Sequence, residues 1–239
     1  MNSNIAIIIP AYNESENIKD LLKKIRQNIK SQIIVVDDSN NNLTKNILKK
    51  IKTNIVYIKR NKKLGRGSAV LEGLKYALKK KNFEIFVEMD ADLSHPPYEL
   101  RRNIKFFNNK NLDLLIGSRY LERSQIVNWP ISRRIFSKLA NFLARFLLKV
   151  PCSDYTNGYR IYSRGAANKI VEKCGKIGDG FIILSEILVV LYKSNFKIGE
   201  INTKFVNRSR GESSANLRLI IASLIGLIKI YLKRNSIKC

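Results

Sequence analysis

The stretch Ile85-Phe86-Val87-Glu88-Met89-Asp90-Ala91-Asp92-Leu93-Ser94-His95 is a short, largely apolar run that ends in two carboxylates. Runs of this length bounded by polar residues read as buried strands. Asp90 and Asp92 flank one alanine, and carboxylates so close repel unless a proton or a cation lies between them. A divalent metal suits the pair best. Mg²⁺ or Mn²⁺ prefers carboxylate and phosphate oxygens, which is what a diphosphate leaving group needs as charge develops on it. An isolated Asp-x-Asp also arises by chance or as a helix cap, so its weight comes from its setting.

That setting repeats along the chain. Ile5–Pro10 is an apolar run followed by Ala11-Tyr12-Asn13-Glu14, and Ile33–Val36 is followed by Asp37-Asp38-Ser39. Further strand-like runs are Ile55–Ile58 and Leu112–Ile116. Between them lie stretches of helical period: Ile18, Leu21, Leu22, Ile25 and Ile29 share one face, with Asn13 and Glu16 spaced as a capping box, and helices are expected around 67–80 and 97–108. Strands alternating with helices predict an α/β fold with a mostly parallel sheet. In such sheets ligands bind beyond the carboxyl ends of the strands, where all three acidic clusters fall.

After residue 120 the alternation stops. A helix carrying Ile135, Leu139, Phe142, Leu143, Phe146 and Leu147, with Arg133, Arg134, Lys138, Arg145 and Lys149 beside them, fits a membrane surface as well as a protein core. Another helix is expected over Phe181–Leu191 and a late strand around Phe196–Ile201. In Asn216–Arg234 the charge-free run Leu219–Ile228 is half the roughly 20 apolar residues a membrane span needs. It reads as an interfacial helix, with a helix packed on the domain or on a membrane-embedded partner subunit as the other reading. The chain thus divides into a catalytic domain, 1–215, and a C-terminal helix and tail, 216–239.

The 239 residues carry 44 Lys+Arg against 19 Asp+Glu, a net charge of +25 that draws polyanions: phosphorylated substrates, anionic lipid or nucleic acid. Cys152, Cys174 and Cys239 have no paired spacing, so neither a disulfide framework nor a thiolate metal site is expected. The N-terminus enters a strand at once, and no secretory signal is expected. Gly65-Arg66-Gly67 lacks the third glycine of a dinucleotide fingerprint, and His95, the single histidine, reads as structural rather than catalytic.

Ile-Pro-Ala-Tyr-Asn-Glu (9–14), Val-Asp-Asp-Ser (36–39), Lys-Leu-Gly-Arg-Gly-Ser-Ala (63–69) and Met-Asp-Ala-Asp-Leu-Ser-His-Pro-Pro (89–97) resemble the GT-A fold family 2 glycosyltransferases. Gly-Ser-Arg-Tyr (117–120), Asn-Trp-Pro-Ile-Ser-Arg-Arg-Ile-Phe-Ser (128–137), Ser-Asp-Tyr-Thr-Asn-Gly-Tyr-Arg (153–160) and Arg-Ser-Arg-Gly-Glu-Ser (208–213) are similar to its polyprenol-phosphate (dolichol-phosphate) mannosyltransferase branch. The resemblance implies a GT-A, nucleotide-diphospho-sugar transferase fold. It implies inverting transfer of mannose from GDP-mannose to a dolichyl or polyprenyl phosphate, by a peripheral protein at the cytoplasmic face of the endoplasmic reticulum or plasma membrane.

It also implies roles. Pro10, Tyr12, Glu14, Val36 and Asp38 would hold the nucleoside, with Asp37 or Asp38 reading the base; Asp90, Ala91 and Asp92 would face ribose and metal, with Mg²⁺ or Mn²⁺ held by Asp90, Asp92 and Ser94. Arg119, Arg133 and Ser137 would hold the lipid phosphate, Arg208 the donor diphosphate, and Asp92, Arg119 and Arg133 would carry catalysis. Two departures from the pattern stand out: Asn40-Asn41-Asn42-Leu43 follows Asp-Asp-Ser, and Ser214 replaces a lysine, a loss that Arg210 or Lys204 would have to offset.

Rival readings are a UDP-sugar-dependent polyprenyl-phosphate glucosyl- or aminosugar transferase, which usually carries two terminal membrane spans, and a transferase with a soluble acceptor. A nucleic-acid-binding module is disfavoured, since it needs no carboxylates at three strand ends and no reader motif is present.

Overall fold

The computed structural model describes residues 4–51, 54–177, 182–207 and 217–233, with the backbone alone for 217–223. Its strands are β1 (Ile5–Ala11), β2 (Gln32–Asp37), β3 (Ile55–Lys59), β4 (Ile85–Glu88), β5 (Leu114–Ser118), β6 (Gln125–Val127), β7 (Arg160–Ser163), β8 (Ile198–Asn202) and β9 (Lys204–Val206). The helices are α1 (Ser15–Asn28), α2 (Leu43–Lys50), α3 (Arg66–Leu78), α4 (Leu100–Asn109), α5 (Ile131–Leu148), α6 (Arg164–Lys173), α7 (Ile182–Lys193) and α8 (Leu217–Lys233). Seven strands form one sheet in the order β3-β2-β1-β4-β7-β5-β8, and β6 pairs with β9 separately. Within the large sheet β7 alone is antiparallel to its neighbours.

Side chains of a strand point alternately to its two faces. In β1, Ile5, Ile7 and Ile9 join a core with Leu21, Leu22 and Ile25 of α1 and Ile104 and Phe107 of α4. Ala6 and Ile8 face a second core with α3, α6 and α7. Both faces of the sheet are therefore covered, which is why its strands are continuous apolar runs rather than alternating ones.

The expected strands and the long helices form, and the sheet is mostly parallel with flanking helices, as the GT-A reading requires. The capping box does not form. Asn13 takes a left-handed conformation at φ 58° and gives its N–H to Ser39 Oγ at 2.7 Å, while Glu14 is the N-cap of α1 and makes no side-chain cap. The demand of the loop at the end of β2 outweighs the local cap. The alternation also continues past residue 120: β7 lies in the middle of the sheet, and α2, α6, β6 and β9 were not foreseen.

α5 buries Asn141, Ala144 and Leu148 and leaves Ile131, Ile135, Leu139, Phe142 and Phe146 exposed. α8 packs beside it and on α7: Leu227 and Ile230 are buried, and a Cβ on Gly226 would lie 2.5 Å from Ile182 Cγ1. Leu224, Ile225, Ile228 and Leu232 of α8 face outward. Among the described residues no helix is long and apolar enough to cross a membrane.

The contact of α3 with β1 depends on a missing side chain. A Cβ on Gly73 would come within 2.5 Å of Cγ2 of the fully buried, χ1-stiff Ile8. Gly73→Ala gains about 1 kcal/mol of helix propensity, but overpacking a dense core costs roughly 1–3 kcal/mol. The expected outcome is a net loss of about 1 kcal/mol, seen as a lower urea midpoint at unchanged m-value; a raised midpoint would show that Ile8 yields freely.

Candidate active site

β1, β2 and β4 are parallel neighbours, so Tyr12-Asn13-Glu14, Asp38-Ser39 and Asp90–Ser94 emerge along one edge of the sheet. The side chains of Pro10 and Val36 are buried there, and Ala91 is buried in the core. Tyr12 is exposed, with the Lys63 ammonium 3.8 Å from its ring centroid, and Glu14 accepts from Asn17 Nδ2 at 2.7 Å.

Asp37 is fully buried and accepts from the Ser39 amide and hydroxyl through Oδ1 and from Tyr57 Oη, at 2.8 Å, through Oδ2. Burial first, then this bond to Asp37, pushes the Tyr57 phenol up. Asp38 pairs with Arg60 Nε and accepts the Leu64 and Gly65 amides at 3.2 and 2.9 Å. Each carboxylate thus has three of its roughly four acceptor positions filled within the chain. What Asp38 does within the chain is shape the turn at Gly65, whose φ of 89° starts α3.

That turn delivers Arg66. Its Nη1 donates to Glu88 Oε1 at 2.6 Å, and Nε and Nη2 both reach Asp90 Oδ1 at 2.8 Å. Burial disfavours the guanidinium charge, but Asp90 and Glu88 outweigh it and raise its pKa. Glu88, fully buried, also accepts from Tyr162 Oη at 2.5 Å, and burial followed by Glu88 drives that phenol well above its ordinary value.

His95 is structural in this geometry. Nδ1 accepts the Asp90 amide at 3.0 Å, Nε2 meets Asn157 Oδ1 at 3.0 Å, and the ring stacks on Tyr159 at 5.2 Å between centroids. The accepting Nδ1 fixes the proton on Nε2. Asp92 Oδ1 accepts the Ser94 amide at 3.1 Å, while Ser94 Oγ is buried with no hydrogen-bond partner. Among the described residues no three or more His, Cys, Asp or Glu side chains are grouped to hold a metal. Two carboxylates and an orphaned hydroxyl nevertheless fit Mg²⁺ or Mn²⁺, which keep several positions for water and phosphate.

On the other side of β4 lies an arginine pair. Arg119 meets Asp154 in a two-pronged contact, Nε–Oδ2 and Nη2–Oδ1 each 2.8 Å, and also donates to Thr156 Oγ1 at 2.6 Å. Burial pushes the Asp154 carboxyl up, but Arg119 overcomes it and holds the pKa below the usual carboxylate value. Burial likewise disfavours the Arg119 charge, and Asp154 chiefly, with a contribution from Asp90, raises it. Arg133, half-buried at the start of α5, donates to Asn207 Oδ1 at 3.1 Å. Both guanidinium groups stand by Trp129, 5.4 and 4.2 Å from the ring centroid, and the buried indole Nε1 has no hydrogen-bond partner. Ser137 accepts from Tyr120 Oη at 2.6 Å.

The expected metal carboxylates and acceptor arginines therefore share one end of the sheet; Arg208 lies outside the described residues. Sequence reasoning did not assign Arg66, Trp129, Asp154, Asn157 or Gly158. Their signal was present, since Arg66 lies in 63–69, Trp129 in 128–137 and the other three in 153–160, blocks that carried the resemblance without a role.

Residues 6–171 match the family described as Glycosyl transferase family 2. The chain is 34% identical over 228 residues to the dolichol-phosphate mannosyltransferase of Pyrococcus furiosus, covering 92% of this chain and 61% of that protein, so it spans less than two thirds of that relative's length. It is 33% identical over 212 residues to the polyprenol monophosphomannose synthase of Mycolicibacterium smegmatis, covering 87% of this chain and 79% of that protein. Glucosyl-3-phosphoglycerate synthase from Mycobacterium tuberculosis, solved in complex with Mn²⁺, UDP and phosphoglyceric acid, superposes with a TM-score of 0.69 at 17% identity, over 98% of this chain and 79% of that one. The same enzyme solved with Mg²⁺ and UDP gives 0.67 at 16% identity, over 98% and 80%. At such identity these structures establish the shared fold.

Asp154→Asn leaves the buried Arg119 charge uncompensated, a cost of about 3–5 kcal/mol, to be read as a lower melting temperature at neutral pH. Asp154 has a depressed folded pKa, so its contribution is fully present above the unfolded carboxyl pKa, about 3.9, and is lost as pH falls through the folded value. The parent protein should lose stability more steeply than the variant below about pH 4; parallel acid limbs would contradict the ion pair.

Proposed function

The chain belongs to glycosyltransferase family 2, and from that premise we propose that it transfers mannose from GDP-mannose to a polyprenyl or dolichyl phosphate. The observation that carries the acceptor class is the convergence of Arg119 and Arg133 on Trp129, beside an unpartnered indole N–H. A guanidinium suits a phosphate because it offers paired donors in a plane; the Nε–Nη2 pair of Arg119 is engaged by Asp154, so Arg119 supplies chiefly a fixed positive charge and Arg133 the more accessible donors. The names of the two relatives supply the sugar and the lipid.

An acceptor phosphate is already anionic at neutral pH and needs no general base, in keeping with a site whose one histidine has both ring nitrogens engaged. Its oxygen attacks the anomeric carbon, the bond from that carbon to the donor's diphosphate oxygen breaks with the electron pair leaving on the diphosphate, and the centre inverts. Arg119, immobilised by Asp154, and Arg133 hold the attacking phosphate with Ser137 beside them, so orientation is arranged before reaction. Asp90, Asp92 and Ser94 would hold Mg²⁺ or Mn²⁺, which supplies charge stabilisation for the departing diphosphate. Tyr12, Glu14, the Asp37-Asp38 turn and the backbone at Pro10, Val36 and Ala91 form the nucleoside side, with Arg208 assigned to the diphosphate.

The membrane contact is assigned to α5 and α8. Phe142, Phe146, Leu139 and Ile135 on one and Ile225, Ile228 and Leu232 on the other are exposed, with Lys138, Arg145, Lys149, Lys229 and Lys233 also exposed on or next to these helices. Apolar side chains bedded among head groups with cations at anionic lipid make a peripheral anchor. Arg133 and Ser137 belong to α5 itself, so the proposed phosphate site adjoins the helix that would lie on the lipid. We assign this to the cytoplasmic face, where anionic lipid is concentrated.

The deciding experiment is turnover of GDP- and UDP-sugars on polyprenyl phosphate, with GDP-mannose expected to be used and chelator to stop it; transfer from UDP-sugars alone would overturn the donor. Arg133→Ala should lower kcat/KM for the lipid phosphate roughly thirtyfold, about 2 kcal/mol, with GDP affinity kept; a fall in GDP affinity at normal acceptor kinetics would reassign Arg133 to the donor. Phe142→Asp with Phe146→Asp removes about 2 kcal/mol of lipid burial per residue and should abolish co-sedimentation with anionic liposomes while nucleotide binding persists. Undiminished co-sedimentation would move the anchor elsewhere.

A further inference from the structure

The metal carboxylate Asp90 already has a cation on it. Arg66 holds Asp90 Oδ1 through two nitrogens at 2.8 Å and Glu88 through a third at 2.6 Å, with Nη2 also 3.4 Å from the Gly158 carbonyl. This parking place is built. Asp38 pins the turn that starts α3, and Gly158 leaves the room, since a Cβ there would lie 1.8 Å from Arg66 Nη2. Glu88 is fully buried and anchored from behind by Tyr162, so it cannot follow if Arg66 moves.

We propose that Arg66 is the resident counter-cation of Asp90 and makes divalent-metal binding depend on the nucleotide. The proposal rests on the metal reading above. A divalent ion approaching Asp90 alone meets a fixed positive charge a few ångströms away and a carboxylate oxygen already taken, so it binds weakly. A nucleoside diphosphate brings negative charge and further oxygen ligands, which offset the repulsion and offer the guanidinium a second anion. Coupling of this kind is reciprocal: whatever factor the nucleotide adds to metal affinity, the metal adds to nucleotide affinity. Arg66 is thus a positioning residue that orders the loading of the site and holds Asp90 in place until the donor arrives.

The test reads free Mn²⁺ by electron paramagnetic resonance, with and without GDP or UDP, for the full chain and for Arg66→Gln, Arg66→Lys and Gly158→Ala. The parent should bind Mn²⁺ weakly alone and far more tightly with nucleotide. Arg66→Gln, whose amide can still bond Glu88, should bind Mn²⁺ alone about tenfold or more tightly, as expected when a unit charge is removed a few ångströms away, and the nucleotide's enhancement should shrink by a similar factor. Gly158→Ala displaces the guanidinium without deleting it and should shift Mn²⁺ affinity the same way, whereas Arg66→Lys keeps the charge and should stay near the parent. A folded Arg66→Gln protein, by circular dichroism and thermal melt, that binds Mn²⁺ alone no better than the parent overturns the proposal. If Arg66→Gln does not fold, unchanged Mn²⁺ affinity in Gly158→Ala does so. If the parent binds no Mn²⁺ even with either nucleotide, the metal assignment itself falls, and this inference with it.

Discussion

β7 runs against every strand it touches, and the site depends on that reversal. Because Arg160 pairs with Glu88 on one side and Ile116 on the other, the residues that lead into β7 arrive at the carboxyl ends of β4 and β5. A parallel strand would have brought its lead-in to the opposite edge. From this one segment Asp154 clamps Arg119, Asn157 engages His95 and the Gly117 carbonyl, Gly158 makes room for Arg66, and Tyr159 stacks on His95. The fully buried Arg160 closes the lead-in by donating to the carbonyls of Tyr155, Asn157 and Leu184.

The electrostatics follow the same economy. The chain carries a large excess of cations, yet Arg60, Arg66, Arg119 and Arg160 are turned inward as partners of carboxylates and carbonyls. A buried charge is tolerated only when its partners are fixed, and each of these is held by more than one. Pairs held in this way fix the local electrostatic field in place. Arg133, half-buried and resting on Trp129, is more accessible than Arg119.

α5 links the site to its surroundings. Its inner face, Asn141, Ala144 and Leu148, packs on the domain, with Asn141 bonding Thr156 and the Tyr155 amide. Its outer face is apolar and exposed, and α8 beside it continues that surface. Periodicity alone could not separate a core helix from a surface one here, because a stripe of Ile, Leu and Phe satisfies either; the difference lies in which side of the helix the sheet domain already occupies.

The sequence by itself determined the parallel half of the sheet and the three acidic strand ends, because buried strands need unbroken apolar runs and the carboxylates that end them stand directly beside those runs in the chain. It also marked Arg119 and Arg133 through the motifs that contain them, and marked His95 as structural for want of a partner of its own kind. Tertiary structure decided the rest. The strand Arg160-Ile161-Tyr162-Ser163 has no unbroken apolar run to declare it, because an arginine and a serine bound its two apolar residues, and its direction is fixed only by pairing with β4 and β5. The Asn13 capping box failed for the same kind of reason, since the Asn13 N–H that Glu16 would accept goes instead to Ser39 Oγ, 26 residues away. The pairing of Arg66 with Asp90, 24 residues apart, is invisible to any local pattern, because the fold alone brings the start of α3 to the end of β4 and leaves a glycine where the guanidinium must pass.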